Sequence, residues 1–305
     1  MSTYVLNHVL VGATGALGGC QNVSLPLGID VDRSGADGSI YARDQTIRTR
    51  RPVASFTTRG LETVLGLVPL TGKSLADLTG GLVFYGCKMQ SLGVGVAAGS
   101  VHRSYAMGDG LLVPTSLSCA QGGDAMMSFE ATVIDDGTNP PVDIETAAAL
   151  PTAVDDDERF GLGSFTIESI ATGTLTNLSI DFGITVEPKV FGGDIWPTDA
   201  VVLSVRPTVS LTVEDLTLLD AAKYAIGGLA VTHASTTCYL RKRTRTSYEL
   251  DAATEHIKLS FAGLAIVENA IDAAQDDSAS MSISIPLEYD GSNAPLTITT
   301  GQAIT

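Results

Sequence analysis

The feature that most limits how this chain can fold is an internal repeat with a spacing of roughly 150 residues. Residues 120–129 match residues 274–283, and the same register continues from 136–144 to 290–298. Upstream, residues 22–31 match 177–186 at nearly the same spacing. A register held over so much chain predicts two copies of one structural unit.

The length of the chain agrees with two units, because domains cluster at about 100 to 150 residues and this chain has 305. We predict a first domain over 1–148, an exposed acidic linker over 149–160 and a second domain over 161–305. The linker is assigned to an Ala-rich stretch that is followed by Asp155, Asp156, Asp157 and Glu158.

Alternation of apolar and polar residues predicts strands in both copies. Leu178, Ile180, Phe182, Ile184 and Val186 form one apolar row, which corresponds to residues 23–31 in the first copy. Residues 201–213 read as a strand pair and residues 281–289 as a further strand. One short helix per copy is expected, at 214–224 and, more weakly, at 61–68. The predicted fold class is all-β, with two tandem β-sandwich or barrel domains.

Charge and cysteine usage exclude several classes of protein. A formal charge of −16 disfavours a protein that grips nucleic acid, because such binding is built on Lys and Arg. The four cysteines show no metal-ligand spacing and are expected to be free thiols. No signal peptide and no apolar stretch of membrane-spanning length is recognised, so a soluble protein without a membrane partner is expected.

A glycine-rich loop, Gly12 to Gly19, is similar to the phosphate-binding turn of dinucleotide-binding enzymes. That turn must lead into a helix, yet residues from Asn22 onward alternate like a strand. A nucleotide-binding enzyme is kept as a remote alternative, and no cofactor is expected.

Asp30, Asp32 and Ser34 have the oxygen spacing of a calcium loop. Tyr41 stands where such a loop has its bidentate Glu, so the aspartates are read more simply as the polar row of a strand. The histidines have no triad or ligand spacing, and no catalytic residue is predicted. The chain is therefore expected not to be an enzyme.

Two basic runs interrupt the acidic sequence, and their seven cations are Arg48, Arg50, Arg51, Arg241, Lys242, Arg243 and Arg245. They are interpreted either as solvated strand faces or as an assembly interface that meets acidic surface on neighbouring subunits. Arg48 and Arg50 occupy positions that are Leu203 and Val205 in the second copy, so this face is expected to meet different neighbours in the two copies.

Residues 112–131, followed by Asp-Gly-Thr-Asn-Pro-Pro-Val at 136–142, resemble structural proteins of tailed bacteriophages, and more specifically major tail tube proteins. The resemblance implies β domains with one flanking helix, six of which form a ring. Two domains per chain then imply homotrimeric, pseudo-hexameric rings that stack into a tube and contact other tail proteins. It also implies a virion protein of the viral tail, assembled in the host cytoplasm, whose acidic lumen lets DNA pass during ejection without specific binding.

A double jelly-roll major capsid protein is the alternative within virion architecture, because it also places two β domains in one chain. A carbohydrate-binding β module would need a groove of exposed aromatics, for which one Trp and eight Tyr are few. Trp196, matched by Tyr41, is expected in the core.

Overall fold

Every strand pair of the chain is antiparallel in the parts that the structure describes. The structure is a computed structural model and describes residues 4–17, 20–34, 44–90, 95–151, 159–167, 170–172, 175–214, 233–244, 247–264, 266–272, 279–289 and 291–304. The predicted all-β class is confirmed. No helix in these ranges is long and apolar enough to cross a membrane.

The described residues of the first half form twelve strands and one helix. They are β1 (Tyr4–Val11), β2 (Gly15–Leu17), β3 (Gln21–Ser24), β4 (Ile29–Ser34), β5 (Asp44–Arg50), β6 (Val53–Thr58), α1 (Leu61–Leu65), β7 (Lys73–Ser74), β8 (Leu82–Lys88), β9 (His102–Met107), β10 (Gly110–Ala120), β11 (Met126–Val133) and β12 (Asp143–Ala148).

The described residues of the second half contain eleven strands. They are β13 (Phe160–Ile167), β14 (Ile170–Thr172), β15 (Leu175–Asp181), β16 (Ile184–Lys189), β17 (Asp199–Val205), β18 (Thr208–Val213), β19 (His233–Lys242), β20 (His256–Leu264), β21 (Ile266–Asp272), β22 (Ser280–Pro286) and β23 (Leu296–Gln302).

These strands form three large sheets and two ribbons. Each half has its own five-stranded sheet, in the order β12-β9-β8-β1-β2 and β14-β13-β19-β20-β23. A third sheet runs through both halves in the order β21-β22-β18-β15-β10-β11-β6-β3, with β7 attached to β10. The ribbons are β4-β5 and β16-β17.

The pattern of strand pairing in the second half repeats that of the first. Ser24 lies opposite Ser55, as Ser179 lies opposite Ser210. A register shift between Pro114 and Ser116 returns in β21 between Val267 and Asn269. The predicted domain limits stay a prediction, although β13 begins at Phe160, inside the predicted linker 149–160, of which residues 152–158 lie outside the described ranges.

Two of the predicted strands are divided by glycine. The row Leu178 to Val186 ends its first strand at Asp181, because Gly183 has a φ of +56° and turns the chain out of the shared sheet into the ribbon. Gly28 does the same between β3 and β4, with a φ of +54°. The predicted strand pair within 201–213 is also wrong. Because the chain leaves the shared sheet at Gly183, β17 pairs with β16 in the ribbon, while β18 pairs with β15 and β22 in the shared sheet.

The core lies between the shared sheet and the five-stranded sheet of each half. Phe56 of the shared sheet stacks on Phe129 at 5.3 Å and meets Phe84 of the first sheet edge-on at 6.0 Å. Helix α1 buries Leu61 and Val64, which confirms the weaker helix prediction. The helix predicted at 214–224 lies, apart from Glu214, outside the described residues.

Candidate assembly interface

The two halves are joined by hydrogen-bonded strands, β10 of the first half and β15 of the second. Ser116 lies opposite Asp181, and Ala120 lies opposite Asn177. Beyond the ladder, the Phe182 N–H donates to the Thr115 carbonyl at 3.1 Å and the Gln121 N–H to the Thr176 carbonyl at 2.8 Å. Within the shared sheet the first half supplies the set β3-β6-β11-β10 and the second half supplies the set β15-β18-β22-β21. The last strand of the first set pairs with the first strand of the second set, which is a head-to-tail contact.

Apolar side chains beneath this junction are fully buried. Leu117 and Cys119 of β10 and Leu178 and Ile180 of β15 are each at most 1 % exposed. Burying a Leu or Ile side chain contributes about 1.5–3 kcal/mol, so the junction combines a directed ladder with a substantial hydrophobic contribution.

A second contact between the halves is made by the loop that joins β16 to β17. The Arg50 N–H donates to the Ile195 carbonyl, and the Asp135 N–H donates to the Pro197 carbonyl, both at 2.7 Å. The guanidinium of Arg50 lies 5.1 Å from the centre of the Trp196 ring. Trp196 is therefore half-buried against the other half, and its expected place in the core of its own half is wrong.

The second basic run contacts acidic residues within the same chain. Lys242 lies 3.9 Å from Glu62 of α1 and 3.2 Å from Glu255, and Arg243 lies 3.5 Å from Asp124. Arg241 pairs with Asp251 at 2.5 Å inside the second half. Arg245 lies outside the described residues.

Residues of the first basic run take three different places. Arg48 pairs with Asp32 across the β4-β5 ribbon at 2.7 Å, with both side chains largely exposed, so this pair contributes little stability. Arg50 meets Trp196, and Arg51 is exposed while its N–H donates to the carbonyls of Leu27 and Gly28. The structure therefore brings Arg50, Lys242 and Arg243 to contacts between the halves, and leaves Arg48 and Arg51 away from them.

At each end of the shared sheet lies a strand with one ladder-bonded neighbour among the described residues. These are β3, which pairs with β6, and β21, which pairs with β22. By position β3 is the counterpart of β15, and β21 is the counterpart of β10. The two free edges are thus the same two edges that join in the middle of the chain.

The face of the shared sheet opposite the core carries mainly hydroxyl groups. The side chains that are exposed or half-buried on this face include Ser55, Thr57, Ser118, Ser128, Glu130, Asn177, Ser179, Asp181, Ser210 and Ser282. Neither Lys nor Arg occurs in any of the eight strands on the path from β21 to β3. This face presents polar and negative groups to solvent.

The Gly12 loop does not have the geometry of a phosphate-binding turn. Residues 12–14 form the tight turn of an antiparallel hairpin, in which Val11 lies opposite Gly15. A strand, β2, begins where the helix of a nucleotide site would begin, while Gly18 and Gly19 lie outside the described residues.

Asp30, Asp32 and Ser34 stand on the extended strand β4 rather than in a loop. Alternate residues of a strand are about 7 Å apart, so these positions do not wrap a cation as a calcium loop does. No group of three metal-binding side chains occurs among the residues that the structure describes.

None of the four cysteines forms a disulfide, and all four are buried. Burial raises the pKa of Cys87 to about 11. It is also the largest cause that raises the pKa values of Cys119 and Cys238 to about 12. A thiol whose charged form is so disfavoured is a poor nucleophile at neutral pH.

Comparisons with protein-family models and with curated proteins found no match for this chain.

Proposed function

We propose that this protein is a structural virion protein that assembles into stacked rings of three chains and forms the tail tube of a tailed bacteriophage. Its role in this proposal is to enclose a conduit for DNA and not to catalyse a reaction. Its partners are other copies of itself and other tail proteins.

The observation that supports the proposal is the head-to-tail junction between β10 and β15. A contact between two different edges can be repeated indefinitely, and it closes into a ring when the rotation between units is a whole fraction of a turn. Because β21 and β3 are the counterparts of β10 and β15, the junction inside the chain is a template for the junction between chains.

Three chains joined in this way would give a closed sheet of about 24 strands. With strands about 4.8 Å apart and tilted by about 40°, such a barrel has a backbone diameter of roughly 45–50 Å. Barrels of 16–18 strands already leave an aqueous channel, so this ring would have a wider one. Closure would also cover both free edges, which otherwise invite unspecific pairing.

The composition of the solvent face fits a surface along which DNA slides. Lys and Arg supply most of the affinity of proteins for phosphates, and the eight strands of the shared sheet from β21 to β3 contain neither. If this face lines the channel, hydroxyls together with Glu130 and Asp181 meet the DNA backbone, and these eight strands offer no cation to retain it.

Electron microscopy of the purified, concentrated protein tests this proposal. We expect hollow tubes or stacked rings with threefold or pseudo-sixfold rotational symmetry. Closed shells would replace the proposal with the double jelly-roll capsid protein, and particles that stay monomeric at every concentration tested would overturn both.

A further inference from the structure

Two apolar cavities occupy matching places in the two halves. One, of about 450 Å³, is lined in the first half by Leu27, Pro141, Val142 and Ile144. The other, of about 380 Å³, is lined by Phe182, Pro295, Leu296 and Ile298, which occupy the same positions in the second half. The two sites therefore have the same framework and similar apolar character.

The two cavities differ in what lies on their opposite wall. In the second half that wall is the segment following α1, where Leu65, Val68 and Leu70 of the first half face Phe182 and Leu296. In the first half Trp196 contributes a wall, and no counterpart of the α1 segment lines the cavity among the described residues.

Side-chain exposure differs in the same direction at three matched positions. Phe182 is 2 % exposed, whereas its counterpart Leu27 is 44 % exposed. Leu296 is buried and its counterpart Val142 is half-buried, while Ile298 is half-buried and its counterpart Ile144 is exposed. At each of these three matched positions the apolar side chain is more exposed in the first half than in the second. An open patch of this kind, at a position that is covered elsewhere in the same chain, indicates a surface buried on association.

We propose that the Leu27/Ile144 cavity is the docking site for the second half of another copy of this chain. The reason is that the second half receives the first half in the matching cavity, next to the β10-β15 junction. A neighbour that pairs its β21 with β3 brings its own second half to the same relative position. By position, the stretch corresponding to 65–71 is 220–226, which lies outside the described residues.

This inference rests on the head-to-tail assembly of the proposed function, and it adds the apolar contact that accompanies strand pairing. The β3 edge supplies direction through hydrogen bonds, while the cavity supplies burial of apolar surface. Removing the apolar contact should therefore weaken association without altering the chain's own fold.

The test compares Ile144→Asp with Leu250→Asp by sedimentation velocity over a range of concentrations. Leu250 is the matched control, because it is 77 % exposed and belongs neither to the cavity nor to a free edge. We expect Ile144→Asp to weaken self-association about tenfold or more relative to Leu250→Asp. Circular dichroism should show that both variants keep the wild-type spectrum, since neither side chain is buried in the single chain.

Association of Ile144→Asp within about twofold of the control would overturn the inference. Micrographs of the wild type, taken in parallel, distinguish a failure of this inference from a failure of the proposed function. Tubes that form equally well from the Ile144→Asp variant would leave the tail-tube proposal standing without this cavity. Closed shells or small oligomers that are lost in Ile144→Asp would keep the docking site and remove the tube.

Discussion

The ring of His102 accepts a hydrogen bond at Nδ1 from the backbone N–H of Lys88, 3.0 Å away, and His256 stands in the same relation to Lys242 at the same distance. Both histidines are almost completely buried. The two pairs occupy matching positions on the sheets of the two halves and satisfy a strand N–H that the neighbouring strand does not reach.

Replacement of His256 tests how much the hydrogen bonds of this buried histidine contribute to stability. Nε2 of His256 also lies 2.8 Å from the Leu250 carbonyl, so His256→Leu removes two hydrogen bonds and leaves a buried N–H without its acceptor. We expect the free energy of unfolding to fall by about 2–4 kcal/mol. Urea denaturation measures it, and a midpoint equal to that of the wild type would show that these bonds contribute nothing.

Gly183 should tolerate no side chain. Its φ is +56°, and a Cβ at this position would lie 2.1 Å from the Arg206 carbonyl oxygen. We expect Gly183→Ala to lower the free energy of unfolding by about 3 kcal/mol or more. The matched control is Gly192→Ala, which has a φ of +67° but open space around it and should cost about 1 kcal/mol. Equal losses in thermal denaturation would contradict the steric explanation.

Charges placed at Ser24 should act on assembly alone. Ser179, its counterpart, lies opposite Ser118, and the position matching Ser118 in the second half is Asp272. In a β21-β3 pair, Ser24 would therefore lie directly opposite Asp272 of the neighbouring chain, with their Cβ atoms about 5 Å apart. We expect Ser24→Asp to weaken association and Ser24→Lys to preserve or strengthen it. Light scattering at low and high salt should show the difference shrinking as salt rises, whereas identical behaviour of the two variants would exclude this register.

Alkaline pH should destabilise the chain through its buried thiols. The ordinary thiol pKa is 9.0, while Cys119 and Cys238 have pKa values of about 12 in the folded chain. Between these values the unfolded chain binds fewer protons than the folded chain, so the free energy of unfolding falls as pH rises. The slope is at most about 1.4 kcal/mol per pH unit for each thiol.

The Cys238→Ala variant provides the control for this pH dependence. It should show a shallower loss of stability above pH 9 when unfolding is followed by guanidinium titration at successive pH values. A slope unchanged from that of the wild type would assign the alkaline loss to other groups.

Sequence alone was sufficient for the class of the fold but for only part of the apolar rows, since Leu27, Ile29 and Val31 of the first copy are exposed. Val209, Leu211 and Val213 alternate with polar residues because one face of β18 is buried and the other is not. The same rule failed at Gly183, because Ile184 and Val186 continue the alternation although they belong to a different sheet. Alternation reports which face of a strand is buried and contains no information about which strand lies beside it.

The candidate interface was predicted only in part for the same reason. The basic runs indicated charged contacts, and Lys242 and Arg243 do meet acids of the other half, but within one chain. The β10-β15 ladder has no sequence signal of its own, since backbone groups make it. A signal that was available is the replacement of Leu27 by Phe182 and of Val142 by Leu296, larger residues at the covered positions.

The junction inside the chain also has a kinetic consequence. In the proposed ring, half of the contacts between units exist before any two molecules meet, because a covalent connection holds those units at a high effective concentration. Nucleation of a ring then requires the encounter of three molecules where six separate units would need six. Its rate should depend on a lower power of protein concentration, which favours assembly when little protein has yet been synthesised.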